Sequence, residues 1–238
     1  MTSSFDQDII LNRGYQYTTN ASLSSSLANK RLTRATIEMV KLKGKKVLDV
    51  GCGDGTYTYK LFRESQPKTI TGIDISNKAI ALASRRYKQK GLNFFCSDIF
   101  SLSKKKEQFD CAILRGVLHH LDNPKKAIAA IGEEVNEVII LEPNGYNPIL
   151  KIIEKVSPYH VTHHEKSYFP FKLNQWLKSA DFKIISSQYI SLIPFFTIDQ
   201  LAIMLKKLEP FVENTIFIRN IICGVYVVSA RKKKYGKT

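Results

Sequence analysis

A glycine-rich segment next to a carboxylate is the first feature of the sequence that could do chemistry. Residues 47–55 read Val-Leu-Asp-Val-Gly-Cys-Gly-Asp-Gly. The apolar start predicts a short buried strand, and the alternating glycines predict a bend whose backbone can adopt positive φ and approach a ligand closely. A helical pattern follows, so the bend ends at a helix N-terminus, where α/β proteins commonly bind a nucleotide.

The spacing of the glycines differs from the dinucleotide-binding fingerprint. A Gly-x-Gly-x-x-Gly pattern that begins at Gly51 needs its third glycine at position 56, but the sequence has Thr56 there and a glycine at 55. Asp49 within the strand is also unsuited to a pyrophosphate, because a carboxylate favours a cationic or hydrogen-bond-donating ligand. Both observations argue against a nicotinamide-dependent oxidoreductase.

Two more carboxylates follow predicted strands. Asp74 lies 19 positions beyond Gly55, close to the offset of ~20 residues at which an acidic residue accepts hydrogen bonds from a ribose. Its alternative role is to cap the helix that begins near Asn77, but Ser76 already supplies a cap. Asp98 follows the third predicted strand, where it is either a loop residue or an acceptor for an adenine amino group.

These side chains depend on alternating strands and helices to bring them together. Apolar runs predict the strands, and helical periodicity with capping residues predicts the helices between them. Such alternation favours an α/β fold whose mostly parallel sheet carries helices on both faces. The predicted strands are 47–50, 69–74, 92–96, 109–114, 135–142, 182–189 and 221–229, and the predicted helices are 27–40, 56–64, 77–90, 124–133 and 173–180.

A chain of 238 residues is long enough for one such domain with a full core and too short for two. We expect residues 1–29 to form an N-terminal arm and residues 30–142 to form the cofactor-binding half. Residues 143–168 are expected to form a lid loop. Residues 169–230 are expected to form the C-terminal half, interrupted by an apolar insertion at 190–220.

The motifs together resemble those of class I S-adenosylmethionine-dependent methyltransferases, above all the type 11 small-molecule methyltransferase domain, similar to the ubiquinone/menaquinone C-methyltransferases. The resemblance is strong over residues 30–142 and concerns only topology over 170–230. It implies a Rossmann-like sheet of seven strands whose last strand is antiparallel. The motifs that carry it are Asp49 with the three glycines, Asp74, Asp98-Ile99, Phe109-Asp110, residues 115–121 (Arg-Gly-Val-Leu-His-His-Leu) and Glu142-Pro143.

The resemblance also implies a position for each part of S-adenosylmethionine. The methionine moiety would lie beside Asp49 and residues 51–55, the ribose beside Asp74, and the adenine beside Asp98. Residues 115–119 would lie beside the sulfonium, and aromatic residues of the N-terminal arm would either close over the cofactor or pack elsewhere on the sheet. The expected cofactor contacts are Asp49, Gly51, Cys52, Gly53, Gly55, Asp74, Ile75, Asp98, Ile99, Arg115, Leu118 and Tyr17.

Methyl transfer from a sulfonium needs little covalent machinery, because the methyl group is already activated. A general base helps when the acceptor is a hydroxyl. His119 and His120 follow the fourth predicted strand, at the sheet edge where open α/β folds bind ligands, and they are the candidate catalytic residues. Their alternative roles are packing against the cofactor and bonding to the backbone. The His-rich segment 160–165 lacks a metal-binding arrangement, so no metal is expected.

The apolar insertion bears on the acceptor. Ile198, Leu201, Leu205 and Leu208 fall on one predicted helical face. They belong to an ordinary core, line a pocket for a lipidic or aromatic acceptor, or contact a membrane surface, and core is the usual outcome for such a stripe. We expect methylation of a small apolar, aromatic or lipidic acceptor at oxygen or carbon. An RNA methyltransferase and a non-catalytic cofactor-binding protein are the alternatives.

Composition sets further bounds. The net charge of +15 permits anionic partners, but the basic residues are dispersed and no nucleic-acid-binding module stands out, so nucleic acid is not favoured. No apolar run reaches the ~18–20 residues that cross a bilayer. The cysteines at 52, 96, 111 and 223 form no Cys-x-x-Cys pair, which predicts reduced thiols and a cytoplasmic protein.

Overall fold

The computed structural model describes residues 22–104, 108–157 and 166–233. The strands are β1 (Lys46–Val50), β2 (Thr69–Asp74), β3 (Leu92–Cys96), β4 (Phe109–Arg115), β5 (Val135–Pro143), β6 (Phe182–Ile190) and β7 (Val225–Lys232). The helices are α1 (Leu23–Met39), α2 (Thr56–Ser65), α3 (Asn77–Arg86), α4 (Pro124–Glu134), α5 (Pro148–Val156), α6 (Pro170–Ser179), α7 (Asp199–Asn214) and α8 (Ile216–Ile222). Two short 3₁₀ segments cover Ile99–Lys104 and Leu118–His120.

The seven strands form one sheet in the order β3-β2-β1-β4-β5-β7-β6. Neighbouring strands from β3 to β5 are parallel, whereas β7 is antiparallel to both β5 and β6. The predicted α/β class, with a seven-stranded, mostly parallel Rossmann-like sheet, is confirmed. Strands β2 and β3 lie on one side of β1, whereas β4 and β5 lie on the other. The strand order therefore reverses between β1 and β4, and this is the switch point at which open α/β sheets bind ligands.

Both faces of the central strands are buried, which explains their continuous apolar runs in the sequence. In β1, Leu48 and Val50 pack into one core cluster with residues of α4 and α6, while Val47 packs into a second cluster with residues of α1 and α2. Asp49 is the buried polar residue of that strand. The packing therefore holds the carboxyl ends of β1 and β4 side by side.

Two helix limits differ from the sequence expectation. The sequence predicts the first helix from residue 27 and assigns residues 1–29 to an arm, but α1 begins at Leu23, because Ser22 caps the helix and accepts a hydrogen bond from the amide of Ser25. The sequence also extends the third helix to residue 90, but α3 ends at Arg86. Its continuation is blocked where Tyr87 leaves the helical conformation and stacks on Tyr59 with ring centroids 4.7 Å apart.

The segment predicted as a lid loop, 143–168, contains a helix. Asn147 accepts hydrogen bonds from the amides of Ile149 and Leu150, and Pro148 occupies the first turn of α5. This is the same cap-and-proline signature that correctly predicts the start of α4 at Pro124. Residues 158–165 of this segment lie outside the described residues.

The start of the last strand was predicted four residues early. Ile221 and Ile222 belong to α8, and β7 begins at Val225. A short apolar run does not distinguish a buried strand from a helix. Here Asn144 decides the outcome, since its Nδ2 donates to the carbonyls of Asn220 and Cys223, each at 2.9 Å, and so caps the end of α8.

The apolar stripe of the insertion does not form core. Ile198, Leu201 and Leu208 are exposed by 67%, 41% and 47%. The buried positions of α7 are Ala202 and Glu209 on another side of the helix, so the interpretation of the stripe as ordinary core is wrong. None of the described helices is both long and apolar enough to cross a membrane.

Candidate active site

The glycine bend begins where β1 ends. The amides of Gly51 and Cys52 donate to the carbonyl of Ile73 at 2.8 and 3.0 Å, which fastens the bend to β2. The three glycines all have positive φ: 69° at Gly51, 54° at Gly53 and 77° at Gly55. This is the left-handed region that glycine adopts without strain. The backbone conformation inferred from the sequence is therefore present.

Space as well as φ requires glycine at two of these positions. A Cβ on Gly51 would lie 2.5 Å from Cγ2 of Val117, and a Cβ on Gly55 would lie 2.8 Å from the Phe94 ring. Val117 belongs to the loop after β4, so the glycine bend and that loop are in direct contact. Close backbone approach of this kind is what a cofactor cradle needs.

Asp74 links the glycine bend to helix α3. Its Oδ2 accepts from the amide of Gly53 and its Oδ1 from the amide of Ser76, both at 2.9 Å. Ser76 caps α3 as predicted, since its side chain accepts from the amide of Ala79. Asp74 therefore stands at the carboxyl end of β2 beside the bend, in the position where the sequence resemblance expects a ribose contact.

The residues expected around the adenine divide into two groups. Ile75 is exposed by 59%, and Asp98 is also exposed while its Oδ1 accepts from the amide of Phe100. Ile99, by contrast, is only 5% exposed and packs in the core with Ile73. Ile75 and Asp98 thus present side chains at this edge, whereas the side chain of Ile99 points into the core.

Asp49 is a buried acid at the base of the bend. Its Oδ2 accepts from the hydroxyl of Thr58 at 2.6 Å. Burial raises its pKa to about 6, against the opposing effects of the Thr58 hydroxyl and the positive charge of Arg115, and the negative charge of Asp74 adds to the increase. Such a carboxylate is poised to gain from a cationic ligand. Burial, and then the nearby Asp49 and Asp74, likewise raise the pKa of the Cys52 thiol well above its usual range.

Arg115, at the end of β4, is clasped by helices α1 and α2. Its guanidinium lies 4.0 Å from the centroid of the Tyr57 ring, and it donates to Oγ1 of Thr33 at 3.1 Å and to Oδ1 of Asn29 at 2.5 Å. Burial lowers its pKa to about 10, opposed by Tyr57 and Asp49. The sequence predicts Arg115 as a cofactor contact but gives no signal for its three partners.

His119 is held by a buried carboxylate that the sequence analysis did not assign to the site. Its Nδ1 lies 2.8 Å from Oε2 of Glu142, and Oε1 of Glu142 accepts from the amides of Val117 and Leu118 at 2.9 and 2.8 Å. Glu142 is 1% exposed. Because the two residues are 23 positions apart in sequence, only the pairing of β4 with β5 brings them together. The motif Glu142-Pro143 was the available signal.

The remaining predicted residues are placed as follows. The ring of His120 packs on that of His119 with centroids 3.9 Å apart. Leu118 is fully buried in the core, so it offers no side chain to a ligand. Tyr17 and the segment 160–165 lie outside the described residues. Within the ranges that the structure does describe, no cluster of three or more His, Cys, Asp or Glu side chains could hold a metal ion.

We expect the buried acid at the base of the bend to make cofactor affinity depend on pH. A cationic amino group near Asp49 favours its ionised form, so affinity for S-adenosylmethionine should fall as pH drops below about 6, by up to about tenfold per pH unit. Titration calorimetry between about pH 5 and pH 8 measures this. Asp49→Asn should bind more weakly at neutral pH and lose the dependence. An identical slope in that variant would contradict the assignment.

Asp49 should also make the stability of the ligand-free protein depend on pH. This dependence has the opposite sign to that of cofactor affinity, since stability falls as pH rises. Since folding raises the pKa of Asp49 from 3.8 to about 6, the folded state holds that proton more tightly than the unfolded state. Its contribution to the free energy of unfolding is therefore largest below about pH 4 and is lost as pH rises through about 6. Ligand-free Asp49→Asn should melt at a higher temperature than the natural chain at pH 7 in a thermal scan.

Asp74 allows a second test of cofactor placement. Asp74→Ala should weaken binding of S-adenosylmethionine at least about tenfold, because hydrogen bonds to a charged group contribute ~1.5–3 kcal/mol. Calorimetry measures the loss, and circular dichroism checks that the fold survives. An analogue without ribose hydroxyls should bind the natural chain weakly and lose little more in the variant. Unchanged affinity for the full cofactor would refute the ribose role.

Comparison with known proteins identifies the family of the chain. A sequence profile described as "Methyltransferase domain" matches residues 41–185, more than half of the chain. The ubiquinone biosynthesis O-methyltransferase of Coxiella burnetii is 28% identical over 166 residues, which cover 62% of this chain and 68% of that protein. The phthiotriol/phenolphthiotriol dimycocerosates methyltransferase of Mycobacterium tuberculosis is 31% identical over 128 residues, 54% of this chain and 45% of that protein.

A solved structure supports the fold across nearly the whole chain. Magnesium protoporphyrin IX methyltransferase from Synechocystis, crystallised with S-adenosylhomocysteine, superposes with a TM-score of 0.63 at 14% identity, covering 98% of this chain and 89% of that one. At this identity the likeness concerns the fold alone. The profile match, the named relatives and the glycine cradle lead to one conclusion: the chain belongs to the methyltransferase domain family and is an S-adenosylmethionine-dependent methyltransferase.

Proposed function

We propose that the enzyme transfers a methyl group to a hydroxyl oxygen of a small, apolar, aromatic or lipidic acceptor. The observation that carries the proposal is the contact between His119 and Glu142. His119 lies in the loop after β4, which touches the glycine bend, and Glu142 lies in β5. A hydroxyl must lose its proton during methylation, and a fixed imidazole at this position can accept it. Carbon and amine acceptors place less demand on such a base.

The chain's own residues fit the cofactor. Gly51 and Gly55 leave room where a Cβ would collide, Asp49 offers a buried negative charge, and Asp74 offers a carboxylate beside both. Arg115 supplies a fixed positive charge at the end of β4 that suits the carboxylate of the methionine moiety. When bound, the cofactor supplies an electrophilic methyl group on a sulfonium.

Glu142 sets the protonation pattern of His119 in this proposal. Its Oε1 already accepts two amide hydrogens, so the carboxylate is fixed, and its Oε2 is best satisfied by a hydrogen on Nδ1. An imidazole that donates through Nδ1 carries its basic lone pair on Nε2. His119 then accepts the hydroxyl proton at Nε2 while Glu142 stabilises the resulting positive charge. We assign this role to His119 rather than His120 because the buried carboxylate fixes its orientation.

Two observations support an apolar acceptor. The Coxiella relative is named for ubiquinone biosynthesis and O-methylation, and the Mycobacterium relative for phthiotriol and phenolphthiotriol dimycocerosates. The insertion helices α7 and α8 also carry exposed apolar side chains near the carboxyl edge of the sheet. Apolar side chains beside a polar reactive site are typical of pockets that take oily ligands.

Two other functions fit some of these observations. The net charge of +15 is compatible with an RNA acceptor, whose binding would weaken steeply with salt. A protein that binds the cofactor without transferring methyl would keep the glycine cradle and yet make no product. We also propose a cytoplasmic location, since all four cysteines are free thiols.

A labelled-methyl assay separates these functions. Purified enzyme with methyl-labelled S-adenosylmethionine is offered catechols and hydroquinones with short and long alkyl chains, or total RNA, in separate reactions. We expect label in the organic extract of the phenol reactions and formation of equal amounts of S-adenosylhomocysteine. Label in RNA alone would replace the proposal with the RNA alternative. Cofactor binding without transfer to either class would support the non-catalytic alternative.

A further inference from the structure

Helices beside the site expose apolar side chains to solvent. α5 follows β5, and α7 and α8 connect β6 to β7. Since β5 and β6 run parallel to β1, these helices leave the sheet at the edge that carries the glycine bend. Neither α5 nor α8 has a buried residue. Ile152 is exposed by 62% and Phe217 by 83%.

Helices α5 and α8 meet where α5 begins and α8 ends. The Nδ2 of Asn147, the capping residue of α5, donates to the carbonyl of Ile222 at the end of α8 at 2.8 Å. The start of α5 therefore lies against the end of α8. We define the apolar platform as the exposed apolar side chains of these two helices, which include Ile149, Ile152, Val156, Phe217, Ile218 and Ile221.

The platform is unusual for a protein surface in water. Single exposed apolar residues are ordinary, but contiguous groups of them mark interaction surfaces. Ile149, Ile152 and Val156 recur at the spacing of one helical face. The exposed stripe of α7, with Leu201, Met204, Leu208 and Phe211, extends this character along the helix that precedes α8.

We propose that the apolar platform docks on the surface of a bilayer that contains anionic lipids. Helices of this kind lie in the membrane interface with apolar side chains inserted and lysines toward the headgroups. Lys155 is exposed on α5 between Ile152 and Val156, and Lys207 is exposed on α7. The net charge of +15 attracts the whole chain to a negative surface and repels a second copy of the same charge. Charge thus favours lipid over self-association.

Docking at this edge gives the proposed reaction a route to its acceptor. The inference rests on the proposed function, because an oily phenol or lipid partitions into the bilayer and would enter the site from there. α5 begins five residues after β5 ends, while Glu142 lies within β5. The loop after β4 that carries His119 is held by Glu142, so β5 connects directly to α5 and also holds that loop. Docking through the apolar platform would then attach the enzyme to the bilayer and also place the site next to its acceptor.

Vesicle flotation tests the platform directly. The full chain is mixed with vesicles of phosphatidylcholine alone, or of phosphatidylcholine and phosphatidylglycerol in equal parts. We expect co-flotation with the anionic vesicles, weaker by about tenfold with the neutral ones, and reduced but not abolished by high salt. No flotation with the anionic vesicles would overturn the proposal.

A double variant and a matched control separate insertion from charge. Ile152→Asp with Phe217→Asp places carboxylates on α5 and α8 and should reduce flotation at least about tenfold. Ile185→Asp is the control, because Ile185 is 55% exposed on the edge strand β6, and it should float like the natural chain. Calorimetry with S-adenosylmethionine should be unchanged in both, which shows that the fold persists. Undiminished flotation of the double variant would refute apolar docking.

Two further outcomes keep this test independent of the acceptor assay. If the natural chain is a dimer by light scattering, does not float, and becomes monomeric in the double variant, the platform pairs two copies and the membrane proposal is wrong. Flotation uses no acceptor, so an enzyme that floats but fails to methylate phenols would refute the proposed function and leave the docking surface standing.

Discussion

Gly51→Ala should weaken binding of S-adenosylmethionine by about a hundredfold. Positive φ costs an alanine roughly 1–2 kcal/mol, and the new Cβ would lie 2.5 Å from Cγ2 of Val117, an overlap that adds about 1–3 kcal/mol. The chain can relieve this cost of ~3 kcal/mol only by moving the bend or the loop after β4, and both belong to the cradle. At ~1.4 kcal/mol for each factor of ten, cofactor affinity should fall about a hundredfold in titration calorimetry.

Gly44→Ala is the matched control. Gly44 also has a positive φ, 75°, but nothing lies within 4 Å of a Cβ added there. It precedes β1 and touches no predicted cofactor contact. Gly44→Ala should therefore lose only the roughly 1–2 kcal/mol that positive φ costs an alanine, seen in a thermal melt, while keeping its affinity within about twofold. Equal affinity losses in both variants would mean that general destabilisation, rather than the shape of the bend, governs binding.

Removing the imidazole of His119 should reduce the rate of methyl transfer by ~10²–10⁴-fold, the usual contribution of a positioned base. Glu142→Gln should reduce the rate nearly as much, because it changes which ring nitrogen of His119 carries the hydrogen. Its amide can still accept from Val117 and Leu118, but its NH₂ group would face Nδ1 of His119 and favour the tautomer with hydrogen on Nε2. That tautomer has no lone pair where the acceptor hydroxyl is proposed to bind.

Coupling between the two residues distinguishes this mechanism from a loss of structure. The double variant His119→Ala with Glu142→Gln should be no slower than His119→Ala alone, because the carboxylate acts only through the imidazole. Single-turnover measurements with saturating cofactor give these rates. Additive losses in the double variant would contradict the proposed role of His119.

The sequence predicts the fold best where local signals and tertiary demands agree. β2 and β3 occur at the predicted residues, because their apolar runs lie between polar breaks; β2 is buried along almost its whole length, whereas the edge strand β3 buries only Leu92 and Phe94. The run at 221–229 misleads because side-chain amides of Asn144 and Asn147, far away in sequence, cap α8. Periodicity contains no information on such caps.

The same distinction holds for the candidate site, where some residues can be located from the sequence and others only from the tertiary structure. The glycines, Asp49 and Asp74 are adjacent to strand ends and can be located from spacing alone. The contact of Glu142 with His119, and the clasp of Arg115 by Asn29 and Thr33, join separate elements. Helical periodicity places Asn29 and Thr33 only on a buried face. Their role depends on how α1 crosses the sheet, which the sequence does not specify locally.

Calorimetric titration with S-adenosylmethionine, S-adenosylhomocysteine and NAD tests the central claim most directly, namely that the glycine bend and its carboxylates bind an adenosyl methyl donor. We predict saturable binding of the first two, with Kd values of about 1–100 μM, and no binding of NAD. The buried Asp49 should make the cationic donor less well bound at acidic pH. Failure of both adenosyl compounds to bind at millimolar concentration, or preferential binding of NAD, would contradict the account.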